Sequence, residues 1–144
     1  MATAMNRQEF LQLFGLGAAG LVASACLGAC SSKSEVSPAS GVDFTVDLTA
    51  ASSAALNDPA TGYIYGAGNT VIVARTTAGS YVALQAPCPH QGTNVYFTPG
   101  QSRFVCPNHG AVFGLTGNLI QGPATTGLKQ YTVVQTGTSL RVTG

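Results

Sequence analysis

The hydrophobic and polar positions change pattern twice along the chain. Residues 10–29 (FLQLFGLGAAGLVASACLGA) form an almost unbroken apolar run that grows rich in small residues toward its end. Residues 31–41 (SSKSEVSPASG) show no apolar periodicity and are dense in Ser and Pro, the composition of a flexible tether. From Val42 onward short β-prone runs alternate with turn residues. That pattern predicts strands over 42–48, 70–76, 81–84, 94–97, 103–105, 128–134 and 140–143. In Phe44-Thr45-Val46-Asp47-Leu48 the period of two puts Phe44, Val46 and Leu48 on one face. In Val71-Ile72-Val73 the valines oppose the isoleucine, and either face could be the inward one. The connectors Ala78-Gly79-Ser80, Thr98-Pro99-Gly100-Gln101, Thr116-Gly117-Asn118 and Thr136-Gly137-Thr138 each supply a Gly where a hairpin needs positive φ. One or two helical turns are expected over 52–56, closed by Asn57-Asp58-Pro59. Short strands punctuated by turns define an all-β domain.

Composition narrows the picture. The 144 residues suffice for one domain. Charged residues make up 8% of the chain, against about a quarter in ordinary soluble domains, so the surface must be neutral and polar. The net charge is +1 and no stretch concentrates Lys or Arg, which removes nucleic acid as a partner. The expected organisation is an N-terminal address over 1–30, a tether over 31–41 and one folded domain over 42–144, whose site-bearing part spans about 85–125.

Arg7 followed by the apolar run reads as an export signal. The run ends Leu27-Gly28-Ala29-Cys30, which resembles the bacterial lipobox, where lipid is attached to the cysteine thiol and cleavage makes that cysteine the new N-terminus. An uncleaved membrane helix is the alternative, since about 20 apolar residues cross a bilayer. The small residues before Cys30 and the polar Ser31-Ser32-Lys33-Ser34-Glu35 after it favour processing. Asn6-Arg7-Gln8-Glu9-Phe10-Leu11 is also similar to a twin-arginine signal, with Gln8 in place of the second arginine. The expected location is the periplasmic side of the cell envelope, anchored to a membrane through lipid or helix.

The chain has four cysteines and two histidines. Both histidines lie within three residues of a cysteine, in Cys88-Pro89-His90-Gln91-Gly92 and Cys106-Pro107-Asn108-His109-Gly110. Two thiolates and two imidazoles arriving from two hairpin loops can enclose one metal centre. Proline stiffens each loop after the cysteine, and glycine after each histidine lets backbone pass close to the bound group. A zinc ion would normally want cysteines paired at x2 to x4 spacing, and C-x-H is too tight for that. A Cys88–Cys106 disulfide would leave both histidines unexplained.

C-x-H, fifteen residues, then C-x-x-H, continued by Gly110-Ala111-Val112-Phe113, the Gly117 turn and Gly122-Pro123-Ala124, resembles the Rieske iron-sulfur family over roughly 42–144. The resemblance implies a Rieske-like antiparallel β-sandwich with a small cluster-binding subdomain. It also implies a 2Fe-2S cluster in which Cys88 and Cys106 hold one iron and His90 and His109 the other. Gly92 and Gly110 would lie close around the cluster and Pro123 would belong to the loop that covers it. Two ferric ions, two sulfides, two thiolates and neutral imidazoles sum to about zero, against about −2 for four thiolates. An electron is therefore accepted more readily, and Rieske centres span about −150 to +300 mV. Quinol-oxidising members carry an extra cysteine in each loop, joined as a disulfide, and a serine and a tyrosine whose hydroxyls bond sulfur. The matching positions here are Thr93, Asn108, Ala111 and Phe113. With fewer donors to sulfur, a potential in the lower half of the range is expected. The implied activity is one-electron transfer to a redox protein partner, or as the Rieske subunit of a larger membrane oxidoreductase of cytochrome bc or arsenite oxidase type. A self-sufficient oxygenase would need two more histidines for a second iron, and the chain has none to spare.

Overall fold

The computed structural model describes residues 36–144; the apolar run and Cys30 lie outside the described residues. Ten strands are described, β1 (Asp43–Asp47), β2 (Tyr63–Gly66), β3 (Val71–Arg75), β4 (Tyr81–Gln85), β5 (Tyr96–Thr98), β6 (Arg103–Val105), β7 (Val112–Phe113), β8 (Leu119–Gln121), β9 (Gln130–Thr136) and β10 (Ser139–Thr143). They form two antiparallel sheets, one of six strands in the order β1-β10-β9-β4-β3-β2 and one of four in the order β5-β6-β7-β8. The all-β expectation holds, with single 3-10 turns at Ala51–Leu56 and Pro99–Gln101. Leu56 and Ser53 of the first turn are buried, and the Ser53 hydroxyl donates to the Asp47 and Ala50 carbonyls.

Register explains the ambiguity at β3. Every residue from Val71 to Ala74 is fully buried, because this strand has a core on each face. Val71 and Val73 pack with Val46, Leu140, Val142 and Tyr131 in an apolar core enclosed by the six-stranded sheet. Ile72 and Ala74 face a second core, shared with Leu84, Phe97, Phe104 and Phe113, that joins the large sheet to the small one. Val46 is buried, with Phe44 and Leu48 half-buried against the first core, as their shared face requires. The large sheet curls until its two edges meet, so the ring of Phe44 on β1 lies against Gly66 on β2, where a side chain would collide with it.

Three strands are additional to those expected. β2 is the four-residue run Tyr-Ile-Tyr-Gly, paired with β3 across a turn in which Ala67, Gly68 and Asn69 all have positive φ. β7 and β8 have two and three residues, too few to show a period. Of the tether expected over 31–41, the described part (36–41) forms no helix or strand. It is nevertheless held to the domain. The Ala39 carbonyl accepts from Tyr131 Oη at 3.0 Å and Lys129 Nζ at 3.2 Å, and the Val36 carbonyl from Gln85 Nε2 at 3.4 Å. Lys129 is thus half-buried and sits 4.9 Å over the Tyr131 ring.

Candidate metal centre

Two loops of the same construction carry the four candidate ligands. In the first, between β4 and β5, Cys88 N–H donates to the Thr93 carbonyl at 2.9 Å and Gly92 N–H to the Cys88 carbonyl at 2.8 Å. In the second, between β6 and β7, Cys106 N–H donates to Ala111 at 2.8 Å and Gly110 N–H to Cys106 at 3.0 Å. Gly92 and Gly110 close these loops at φ of 75° and 73°, a left-handed conformation costly for any other residue. The two thiols are 0% and 2% exposed and belong to the core between the sheets. At the tips, His90 is half-buried and His109 exposed, with ring centroids 4.7 Å apart and planes at 78°.

Opposed influences act on the buried sulfur of the first loop. Burial pushes the Cys88 thiol above the usual thiol range; the backbone N–H of His90 opposes this, the neighbouring Cys106 thiol adds to it, and the N–H of Gln91 opposes it again. Burial thus favours the neutral thiol, while the backbone N–H groups at the sulfur favour thiolate. His90 Nδ1 is buried with no hydrogen-bond partner. The two thiols neighbour one another and the two imidazoles meet edge to face, a sulfur pair and a nitrogen pair whose donor types suit a two-iron centre.

A family model described as Rieske [2Fe-2S] domain matches residues 46–132, more than half of the chain. The chain belongs to the Rieske family. Its cofactor is therefore a 2Fe-2S cluster. It is 37% identical over 60 residues to the cytochrome b6-f complex iron-sulfur subunit of Chlorobaculum thiosulfatiphilum, a match covering 42% of this chain and 33% of that one. It is 36% identical over 73 residues to the same subunit of Chlorobaculum tepidum, covering 51% and 40%. These matches span only a third to two fifths of the curated relatives' own length. Among solved structures, the cyanobacterial plasma membrane Rieske protein of Synechocystis PCC 6803 superposes with a TM-score of 0.56 at 27% identity, covering 70% of this chain and 99% of that one. The ferredoxin of carbazole 1,9a-dioxygenase from Nocardioides aromaticivorans, at 23% identity and a TM-score of 0.55, shares the fold over 73% of this chain and 98% of its own.

In this Rieske domain the surroundings of the loops contain residues that their sequence did not mark. Gln85, 2% exposed, sends Nε2 to the Pro87 carbonyl at 2.7 Å as the chain enters the first loop. Tyr65 of β2 donates its hydroxyl to the Val95 carbonyl at 2.8 Å as the chain leaves it. Asn108 Nδ2 donates to Gln91 Oε1 at 3.0 Å, from one loop tip to the other. The residues flanking Cys88 pointed to none of these: the Tyr65–Val95 and Asn108–Gln91 partners are distant in sequence, and the Gln85–Pro87 contact depends on how the chain turns into the loop. Phe113 and Ala111 are buried and, having no hydroxyl, offer the cysteines no side-chain donor. Pro123 is exposed, while Ala124 beside it packs in the same core as Cys88 and Cys106. Among the described residues, Arg103 is the one charged side chain between Thr76 and Leu128, and it opens β6 at the end away from Cys106.

Proposed function

We propose that this chain is an envelope-anchored Rieske electron carrier in which Cys88 and Cys106 bind one iron and His90 and His109 the other. The observation that carries the assignment is the unpartnered buried Nδ1 of His90 beside the His109 ring, above a buried sulfur pair. When bound, the cluster supplies one reversible electron. The chain's own residues set its conditions. The core around Cys88 and Cys106 keeps water from the sulfur side, the N–H groups of His90 and Gln91 favour negative charge on sulfur, and exposed His109 offers an imidazole edge to a partner. The uncharged loop tips mean that docking relies on shape and neutral polar contacts, so association should respond weakly to ionic strength.

Visible and EPR spectra of protein produced with iron test the ligand assignment. A Rieske signal that disappears in His90→Ala supports it, and unchanged colour in that variant rejects it. Because Ala111 and Phe113 lack hydroxyls and the Asn108 amide is engaged by Gln91, a redox titration should place the midpoint in the lower half of the range of about −150 to +300 mV. A value near the top would count against this account of the sulfur environment.

Anchoring through a lipid on Cys30 is supported by the lipobox-like Leu27-Gly28-Ala29-Cys30 and by the likeness to a plasma membrane Rieske protein. Among the described residues no helix is long and apolar enough to cross a membrane. Mass spectrometry of the mature N-terminus should find a lipid-modified Cys30, and Cys30→Ser should release the domain from membranes. Similarity to cytochrome b6-f iron-sulfur subunits favours a second reading, a subunit of a larger membrane oxidoreductase with a redox protein or companion subunits as partner. Isolation of the native protein alone or with companions separates the two.

A further inference from the structure

We infer that the Gln91–Asn108 hydrogen bond positions the two ligand loops relative to one another and so governs how long the cluster is retained; this rests on the ligand assignment proposed above. Each loop is closed on itself by two backbone hydrogen bonds, so each is a stiff unit. Among the described residues, one hydrogen bond spans the two units, from Asn108 Nδ2 to Gln91 Oε1 at 3.0 Å. The first runs from β4 of the large sheet to β5 of the small one, and the second joins β6 to β7 of the small one. The β5–β6 pairing, with Tyr96 opposite Val105, and the core around the cysteines fix the two loops at their bases, while the histidines stand at the tips.

Each partner sits one residue from a histidine, Gln91 after His90 and Asn108 before His109. A bond there acts at the level of the imidazole pair, where the core has no grip. Both side chains are exposed, so substitution leaves the core and the fold intact. Gln91 and Asn108 are positioning residues: their side chains hydrogen-bond one another and act through the loops that carry the proposed ligands.

The test is a double-mutant cycle on reconstituted full-length protein, read as the half-life of the visible cluster absorbance in excess EDTA. Gln91→Met keeps length and loses the acceptor, and Asn108→Ala loses the donor. Each should shorten the half-life about threefold to tenfold, the equivalent of ~0.6–1.4 kcal/mol for one hydrogen bond. The double variant should be no worse than either single one, because the same bond is lost. Gln91→Glu retains an acceptor for the Asn108 amide and should keep the wild-type half-life. The EPR spectrum of the reduced cluster should broaden in the first two variants and not in Gln91→Glu, a change that general destabilisation does not produce. Single-variant effects that multiply in the double variant, or a wild-type half-life in Gln91→Met, overturn the inference. A wild-type protein that takes up no iron-sulfur cluster refutes the ligand assignment instead.

Discussion

The two ligand loops share one backbone plan and differ in what holds them. The first enters under a buried amide from Gln85, leaves under the Tyr65 hydroxyl, and is steadied at Asn94, whose Nδ2 reaches the Asn69 carbonyl at 2.9 Å. The second has one comparable outside contact, from exposed Gln121 Nε2 to the Gly110 carbonyl at 3.4 Å. His90 is accordingly half-buried with a sequestered Nδ1, whereas His109 stands in solvent. Equal ligand chemistry is thus mounted on unequal supports. The first loop is held from outside at several points and the second at one.

The strongest test of the shared plan is removal of sulfur. Cys88→Ala and Cys106→Ala should each eliminate bound iron and acid-labile sulfide, because neither loop can hold a metal pair alone. Iron analysis and EPR check this, and a Rieske signal surviving in either variant would break the equivalence of the loops. The unequal supports give a smaller contrast. Gln85→Leu removes the hydrogen bonds of the buried Gln85 amide to the Pro87 and Val36 carbonyls and the Lys129 N–H and should destabilise the domain by about 1–3 kcal/mol in urea unfolding. Gln121→Ala should stay within about 0.5 kcal/mol of wild type. Similar losses from both would show that the loops are equally supported after all.

The smallest effect concerns the exit of the first loop. Burial, with Tyr63 beside it, pushes the Tyr65 hydroxyl from 10.0 up to about 12. A folded-state pKa above the unfolded one stabilises fully below pH about 10, and the contribution disappears as pH rises through about 12. Tyr65→Phe should therefore flatten the fall of the urea midpoint across that window. Parallel declines in variant and wild type would dissociate this hydroxyl from the loop's stability.

Legibility in the sequence followed the physics of each feature. The likeness of the two loops was readable because two cysteine-histidine spacings and their glycines are local patterns. Strands β1, β3, β4, β6 and β10 were readable within a residue or so, since apolar alternation or β-branched runs mark them. β5 and β9 begin two residues later than their apolar runs, where pairing rather than hydrophobicity sets the boundary. β2 was obscured by the Gly-Ala-Gly-Asn that follows it, although that turn is itself the hairpin signal. The two-faced burial of β3 follows from its place inside a curled sheet, which alternation within one strand does not encode. Lys129 shows the same limit, for its contacts depend on the path of residues 36–40, and only the assembled fold brings them to it.

The curling that brings Phe44 against Gly66 also bears on how the domain behaves among other copies of itself. Open sheet edges invite neighbouring chains to add strands, and short or charged edges discourage it. Here the outer strands have five and four residues, and the first carries Asp43 and Asp47. Short, acid-bearing outer strands of this kind disfavour strand addition by another copy of a nearly neutral protein.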